Sequence, residues 1–155
     1  MKAFYIFARA ADDIADNAKL SPHEKVMRLD QFGSALVGDE DTDIESVMPL
    51  RASLKETGVT AQHALDLLTA FKQDAVKQRY EDWEELLDYC RYSANPVGRY
   101  LLDLHGEDKD AWDANDALCT VLQIINHLQD CGDDFRELDR VYIPLDILRE
   151  HGSSV

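Results

Sequence analysis

The stretch FARAADDIADN, residues 7–17, decides how this chain is to be read. At 100° per residue, Tyr5, Arg9, Asp12 and Asp16 fall within an arc of about 60°, with Asp13 just beside them. Phe7, Ala11 and Ile14 lie opposite. An apolar stripe facing away from a polar one predicts an amphipathic helix. The segment QIINHLQDCGDD, residues 123–134, answers it. There Gln123, Asn126, Asp130 and Asp134 share an arc of about 80°, while Leu118, Val121, Leu122, Ile125 and Leu128 take the other side. Each helix therefore presents an Asp-x-x-x-Asp pair one turn apart.

Working outward, the apolar period is helical almost throughout, and the fold class it predicts is all-α. Ser21-Pro22-His23-Glu24 is a capping box with proline at the first helical position, opening a helix that ends near Gly38. Residues 39–43 read as an acidic loop. A weaker helix follows, interrupted at Pro49 and closed by Gly58. A helix from residue 60 to about residue 80 carries Leu65, Leu68 and Phe71 at core spacing. Asp82, with Glu85 three residues on, caps a helix running toward His105-Gly106, with a kink or break at Asn95-Pro96. A long helix spans roughly residues 110–133, and residues 136–144 are less regular. No stretch alternates as a strand does. At 155 residues one domain is the expectation. The first helix starts without a cap and PLDILREHGSSV opens a helix that soon stops, so a bundle incomplete at both ends is expected, the middle piece of a larger domain.

Composition narrows the function. Hydrophobic residues make up 45% of the chain, enough for a packed core. The net charge of −15, from 31 acidic and 16 basic residues, argues against nucleic acid and anionic membrane surfaces as partners recognised by charge. Cys90, Cys119 and Cys131 are odd in number and form no CxxC pair, so neither a disulfide framework nor a zinc site is expected. No apolar run reaches membrane-spanning length, and the N-terminus lacks the shape of a signal peptide. A cytoplasmic protein is the expectation.

The acidic stripes admit two readings. In so acidic a chain an i, i+4 pair of aspartates arises readily by chance, and spacing alone favours an ordinary solvated face. Asp and Asn, however, are poor helix-interior residues, so loading them mid-helix has a stability cost that a site would explain. Two such helices facing each other would set hard carboxylate oxygens across a cleft, which suits Mg²⁺ with positions left for water and phosphate. Bridging ions would let an acidic protein hold a diphosphate and stabilise it as a leaving group. Other constellations fail. Residues 39–43 begin like a calcium loop, but Ile44 and Leu50 stand where its glycine and its bidentate glutamate belong. There is no Glu-x-x-His for a di-iron bundle and no glycine-rich phosphate loop. His105 and His127 read as surface or supporting residues. Phe4, Phe7, Phe71, Tyr89, Tyr92 and Tyr100 read as core, with some of them free to line an apolar cavity where ring faces would stabilise a carbocation.

With these residues laid out, the chain resembles the squalene/phytoene synthase family. RAADDIAD, residues 9–16, matches its first motif, R-x-x-D-D-x-x-D; residues 123–134 match its second, Q-x-x-N-x-L-x-D-x-x-x-D. Between them YCRYSANPVG, residues 89–98, is similar to the family's central helix, and RVYIP, residues 140–144, to the stretch after the second motif. LLDLHGE and NHLQDCGDDFRELDRVYIPLD look most like the hydroxysqualene-forming branch found in bacterial hopanoid biosynthesis.

The resemblance implies an isoprenoid-synthase helical bundle around a central cavity, with Mg²⁺ at its mouth. It implies farnesyl diphosphate or presqualene diphosphate as substrate and squalene or hydroxysqualene as product, with peripheral membrane contact for release of so apolar a product. Asp12, Asp16, Asn126, Asp130 and Asp134 would hold the metal, and Arg9, Asp13, Gln123, Arg140 and Tyr142 would bind the diphosphate end. Val97 and Gly98 would line the prenyl tunnel, and Tyr5 and Tyr89 would stabilise the cation or place water. Gln129 stands where many relatives carry an arginine toward diphosphate, which points to one diphosphate rather than two. A phytoene synthase and a class I terpene cyclase stay open, since Asp12-Asp13-x-x-Asp16 also reads as D-D-x-x-D. So does an inactive helical module that binds partners through exposed core helices. The sequence fixes no oligomeric state.

Overall fold

The computed structural model describes residues 1–38 and 43–153. Among the described residues eight α-helices follow one another: α1 Lys2–Ala15, α2 Pro22–Val37, α3 Met48–Thr57, α4 Gln62–Asp74, α5 Trp83–Ser93, α6 Asn95–His105, α7 Trp112–Asp133 and α8 Leu145–Glu150. A 3₁₀ turn, Lys109–Ala111, leads into α7, and a π-turn, Asp134–Leu138, extends it. Among the described residues the β pairing is a single isolated parallel bridge between Arg79 and Val141. No described helix is long and apolar enough to cross a membrane.

Local chemistry explains most boundaries. Ser21 accepts from the Glu24 amide while the Glu24 carboxylate accepts from Ser21 N at 2.8 Å, completing the capping box. Gly38, at φ 85°, closes that helix in the left-handed region. Asp82 Oδ1 accepts from Glu85 N at 2.9 Å and starts α5. The break expected at Asn95-Pro96 falls at Ala94, between α5 and α6, with Pro96 in the first turn where its missing N–H costs nothing. Pro49 likewise starts α3 rather than interrupting it. The helix expected to reach residue 80 stops at Asp74. Beyond it the chain extends to pair with residue 141, and Tyr80, 1% exposed, is buried between Tyr89 and Tyr142. Tertiary burial there overrides helix propensity. Asp39 and Asp41 of the rejected calcium loop lie outside the described residues.

Phe4, Phe7 and Ala11 of α1 pack with Leu29, Phe32 and Leu36 of α2, Leu50 and Leu54 of α3, and Ala64, Leu67 and Leu68 of α4. Tyr100 of α6 stacks on Phe4, with ring centroids 4.0 Å apart. This core holds α1 so that its acidic face turns toward α7. A smaller aromatic cluster, Tyr80, Leu86, Tyr89 and Tyr142, lies beside it under α4 and α5. Tyr92, expected in the core, is 40% exposed, because the face of α5 that packs is the one carrying Tyr89 and Cys90.

Candidate active site

The two acidic stripes meet across one cavity of about 340 Å³. Asp12 and Asp16 of α1 form one wall; Gln123, Asn126, His127 and Asp130 of α7, with Asp134 just after it, form the other. Asp74 at the end of α4, Tyr89 and Ser93 of α5, and Leu138, Arg140 and Tyr142 close it. Helical period explains the convergence: one turn separates the members of each pair, so both carboxylates of a helix face the same way.

Arg140 joins the walls. Its guanidinium is buried and donates to Asp16 Oδ1 at 2.7 Å and to the Ala15 carbonyl at 3.2 Å. The end of α1 is thereby tied to the segment after α7. A second cavity, of about 320 Å³, opens on the other side of Arg140, between Lys25, Gln78, Arg136 and Asp139. Arg9 does not line the cavity; it pairs with Asp12 at 2.8 Å and Asp13 at 2.9 Å.

On both walls, burial and neighbouring carboxylates outweigh the nearby arginines. Burial, with Asp16 beside it, pushes Asp12 up to about 6. Burial and Asp130 also raise Asp134. Among the described residues no three His, Cys, Asp or Glu side chains converge closely enough to hold an ion by themselves. Apart from the His127 ring, the two walls nonetheless offer hard oxygen donors, four carboxylates and the Asn126 amide, with the Asp74 carboxylate below them. That arrangement fits a cation bound by one or two carboxylates and completed by water and phosphate, the habit of Mg²⁺.

A buried polar group lies at the floor. Asp74, 5% exposed, accepts from Tyr89 Oη at 2.8 Å and from Tyr142 Oη at 2.9 Å, one phenol on each carboxylate oxygen. Burial pushes Asp74 up to about 6, and the two phenols and Arg140 hold it from rising further. Tyr142 stacks on His127, with centroids 3.7 Å apart. Burial lowers His127 to about 4, so it is neutral near pH 7. Ser93 lies within the YCRYSANPVG stretch, whose pattern does not distinguish it, and Asp74 carries no motif spacing and nothing in the sequence singles it out. The signal would have been a polar residue ending an otherwise apolar α4 face.

Several expected residues stand elsewhere. Tyr5 is 65% exposed and, with Arg9 and Asp13, does not line the cavity: Tyr5 shares the arc of Asp12 and Asp16 but stands about two turns before Asp12, while Arg9 and Asp13 lie toward the arc's far edge. Val97 packs against the main core. Gly98 is the point where α6 touches α7: a Cβ there would stand 2.1 Å from Asn115 Oδ1 and 2.6 Å from Cys119 Sγ. Neither lines the cavity. Gln129 is exposed and also off its wall, so its neutral amide gives no geometric ground for a substrate preference.

Comparison with known proteins identifies the family and the fold. The family model described as squalene/phytoene synthase matches residues 1–155. The chain is 56% identical over 153 residues to a hydroxysqualene synthase of Sinorhizobium fredii, covering 99% of this chain and 52% of that protein. It is 55% identical over 153 residues to a hydroxysqualene synthase of Rhodopseudomonas palustris, again covering 99% and 52%. The crystal structure of squalene synthase HpnC from Alicyclobacillus acidocaldarius superposes with a TM-score of 0.81 at 31% identity, covering 98% of this chain and 57% of that one. The chain thus spans about half the length of the curated relatives it matches.

Proposed function

Because the chain belongs to the squalene/phytoene synthase family, we propose that its paired aspartate walls serve the ionisation of a prenyl diphosphate, presqualene diphosphate, on the way to hydroxysqualene. The observation that carries this reading is the placement of Asp12 and Asp16 opposite Asp130 and Asp134 on one cavity. The branch is supported by identity: 50–56% to hydroxysqualene synthases against 28–36% to phytoene synthases.

Mg²⁺ is the cation this donor set suits, and when bound it supplies positive charge to the departing diphosphate. The chain's own residues do the rest. Asp12, Asp16, Asp130 and Asp134, with Asn126 beside them, hold the ions at the mouth. Arg140 fixes Asp16 through its 2.7 Å hydrogen bond, and Arg9 fixes Asp12 at 2.8 Å, so both carboxylates keep one orientation. Gln123 adds a neutral donor on the facing wall. The aromatic floor of Tyr89, Tyr142 and His127 presents ring faces and phenol oxygens to the cation left by ionisation. An apolar product would leave the protein at a membrane surface.

The test is product analysis. The protein is incubated with Mg²⁺ and, separately, farnesyl, geranylgeranyl and presqualene diphosphates, and the extracts are resolved by mass. Hydroxysqualene from presqualene diphosphate, with little condensation of farnesyl diphosphate, is the expected result. Phytoene-type or cyclic products, or activity that survives EDTA, would overturn it.

A further inference from the structure

Two of the residues lining the cavity each carry a buried polar atom with no hydrogen-bond partner among the described residues: Ser93 Oγ and His127 Nε2. A buried polar atom without a hydrogen bond costs of order 1–3 kcal/mol, so such atoms mark a place where a polar guest belongs. Ser93 lies one turn beyond Tyr89 on α5, on the same face. The His127 ring stands 5.9 Å from the Tyr89 ring, centroid to centroid. The Tyr89 proton is committed to Asp74, so its oxygen offers only lone pairs to the cavity. Residues carrying two unpartnered polar atoms and one acceptor oxygen therefore line one cavity, from α5 and from α7, with a buried carboxylate behind Tyr89.

We propose that Ser93 Oγ, His127 Nε2 and the Tyr89 oxygen seat the water that captures the carbocation, and that Asp74 is the positioning residue that receives its proton through Tyr89. This rests on the ionisation reading above. The water oxygen donates a lone pair to form the C–O bond to the cationic carbon. One water proton passes to the Tyr89 oxygen as the Tyr89 proton passes to Asp74. The charge of the cation ends as a protonated Asp74 where a carboxylate stood, and no electrons are gained or lost. Tyr142, bonded to the other Asp74 oxygen, holds the carboxylate in line. The cavity thereby offers the nucleophile polar partners from α5 and α7 and a proton sink behind Tyr89.

The experiment measures two quantities on the protein with Mg²⁺ and presqualene diphosphate: diphosphate released, and hydroxylated C30 product formed. Their ratio reports water capture independently of ionisation. Asp74→Asn lowers the ratio about a hundredfold, the scale of a lost proton transfer. Ser93→Ala lowers it about tenfold, the loss of one hydrogen bond to the nucleophile. Ser93→Ala keeps the melting temperature, because its hydroxyl has no protein partner, so it decides the matter even where Asp74→Asn does not fold. An unchanged ratio in Ser93→Ala, or in folded Asp74→Asn, overturns the proposal alone. No diphosphate release from the unaltered protein overturns the ionisation reading and this proposal together.

Discussion

Helices α1 and α7 carry the same Asp-x-x-x-Asp spacing on opposite structural terms. α1 buries Phe4, Phe7, Ala11 and Ala15 in the core, and its carboxylates are ion-paired, Asp12 and Asp13 to Arg9 and Asp16 to Arg140. α7 buries none of its 22 residues. Leu118, Val121, Leu122, Ile125 and Leu128, the side opposite its polar stripe, are 43–59% exposed. Among the described residues Asp130 and Asp134 enter no ion pair. One wall of the cavity is fixed by packing and by arginines; the other is held chiefly through α5 and α6. An identical motif therefore reveals which residues face the cavity and nothing about how firmly they are held there.

Stability mutants break this comparison most sharply. Phe7→Ala empties a fully buried site and should cost about 3–5 kcal/mol in denaturant unfolding. Ile125→Ala, on a face already open to water, should stay within about 0.5 kcal/mol. Equal losses would show that α7 is packed as α1 is. Next come the carboxylates. Asp12→Asn and Asp130→Asn should each lower turnover of presqualene diphosphate by at least about a hundredfold, despite their different surroundings. A mutant at either position with wild-type rates would remove that wall from the mechanism.

A smaller effect separates the floor from both walls. Asp74 titrates near 6 in the folded protein, above its ordinary 3.8. Between those values the folded state binds more protons than the unfolded, so Asp74 makes stability fall as pH rises from about 4 to about 6. Asp12 contributes with the same sign, and His127, lowered to about 4, with the opposite one. Asp74→Asn should therefore flatten the decline by an amount of order 2 kcal/mol, read from unfolding curves taken across that window. Parallel curves for mutant and wild type would contradict the buried, doubly bonded carboxylate.

The fold class and both acidic stripes were legible from the sequence because helical period places Asp12 with Asp16 and Asp130 with Asp134; that the stripes face each other across one cavity was suggested only by the family resemblance. The capping residues Ser21 and Asp82 and the break before Pro96 were legible for the same local reasons. What local pattern missed was set by distant contacts. The early end of α4 follows from Tyr80 packing on Tyr142, 62 positions later in the chain. Gly98 reads as a tunnel residue on motif grounds, but the close approach of α7 claims it. Arg140 reads as a diphosphate contact and does line the cavity, but its motif does not disclose that it also donates to Asp16 and the Ala15 carbonyl. Asp74 belongs to no motif, and only the fold brings it under two tyrosines.

The central claim is that the two walls act together through a divalent cation, and the direct measurement is calorimetric titration of inorganic diphosphate into the protein with and without Mg²⁺. A chain of net charge −15, with carboxylates on both sides of the cavity, repels a bare diphosphate. The account predicts binding only when Mg²⁺ is present, and its loss in both Asp12→Asn and Asp130→Asn. Diphosphate binding of equal strength without Mg²⁺, or binding that survives either substitution unchanged, would contradict it.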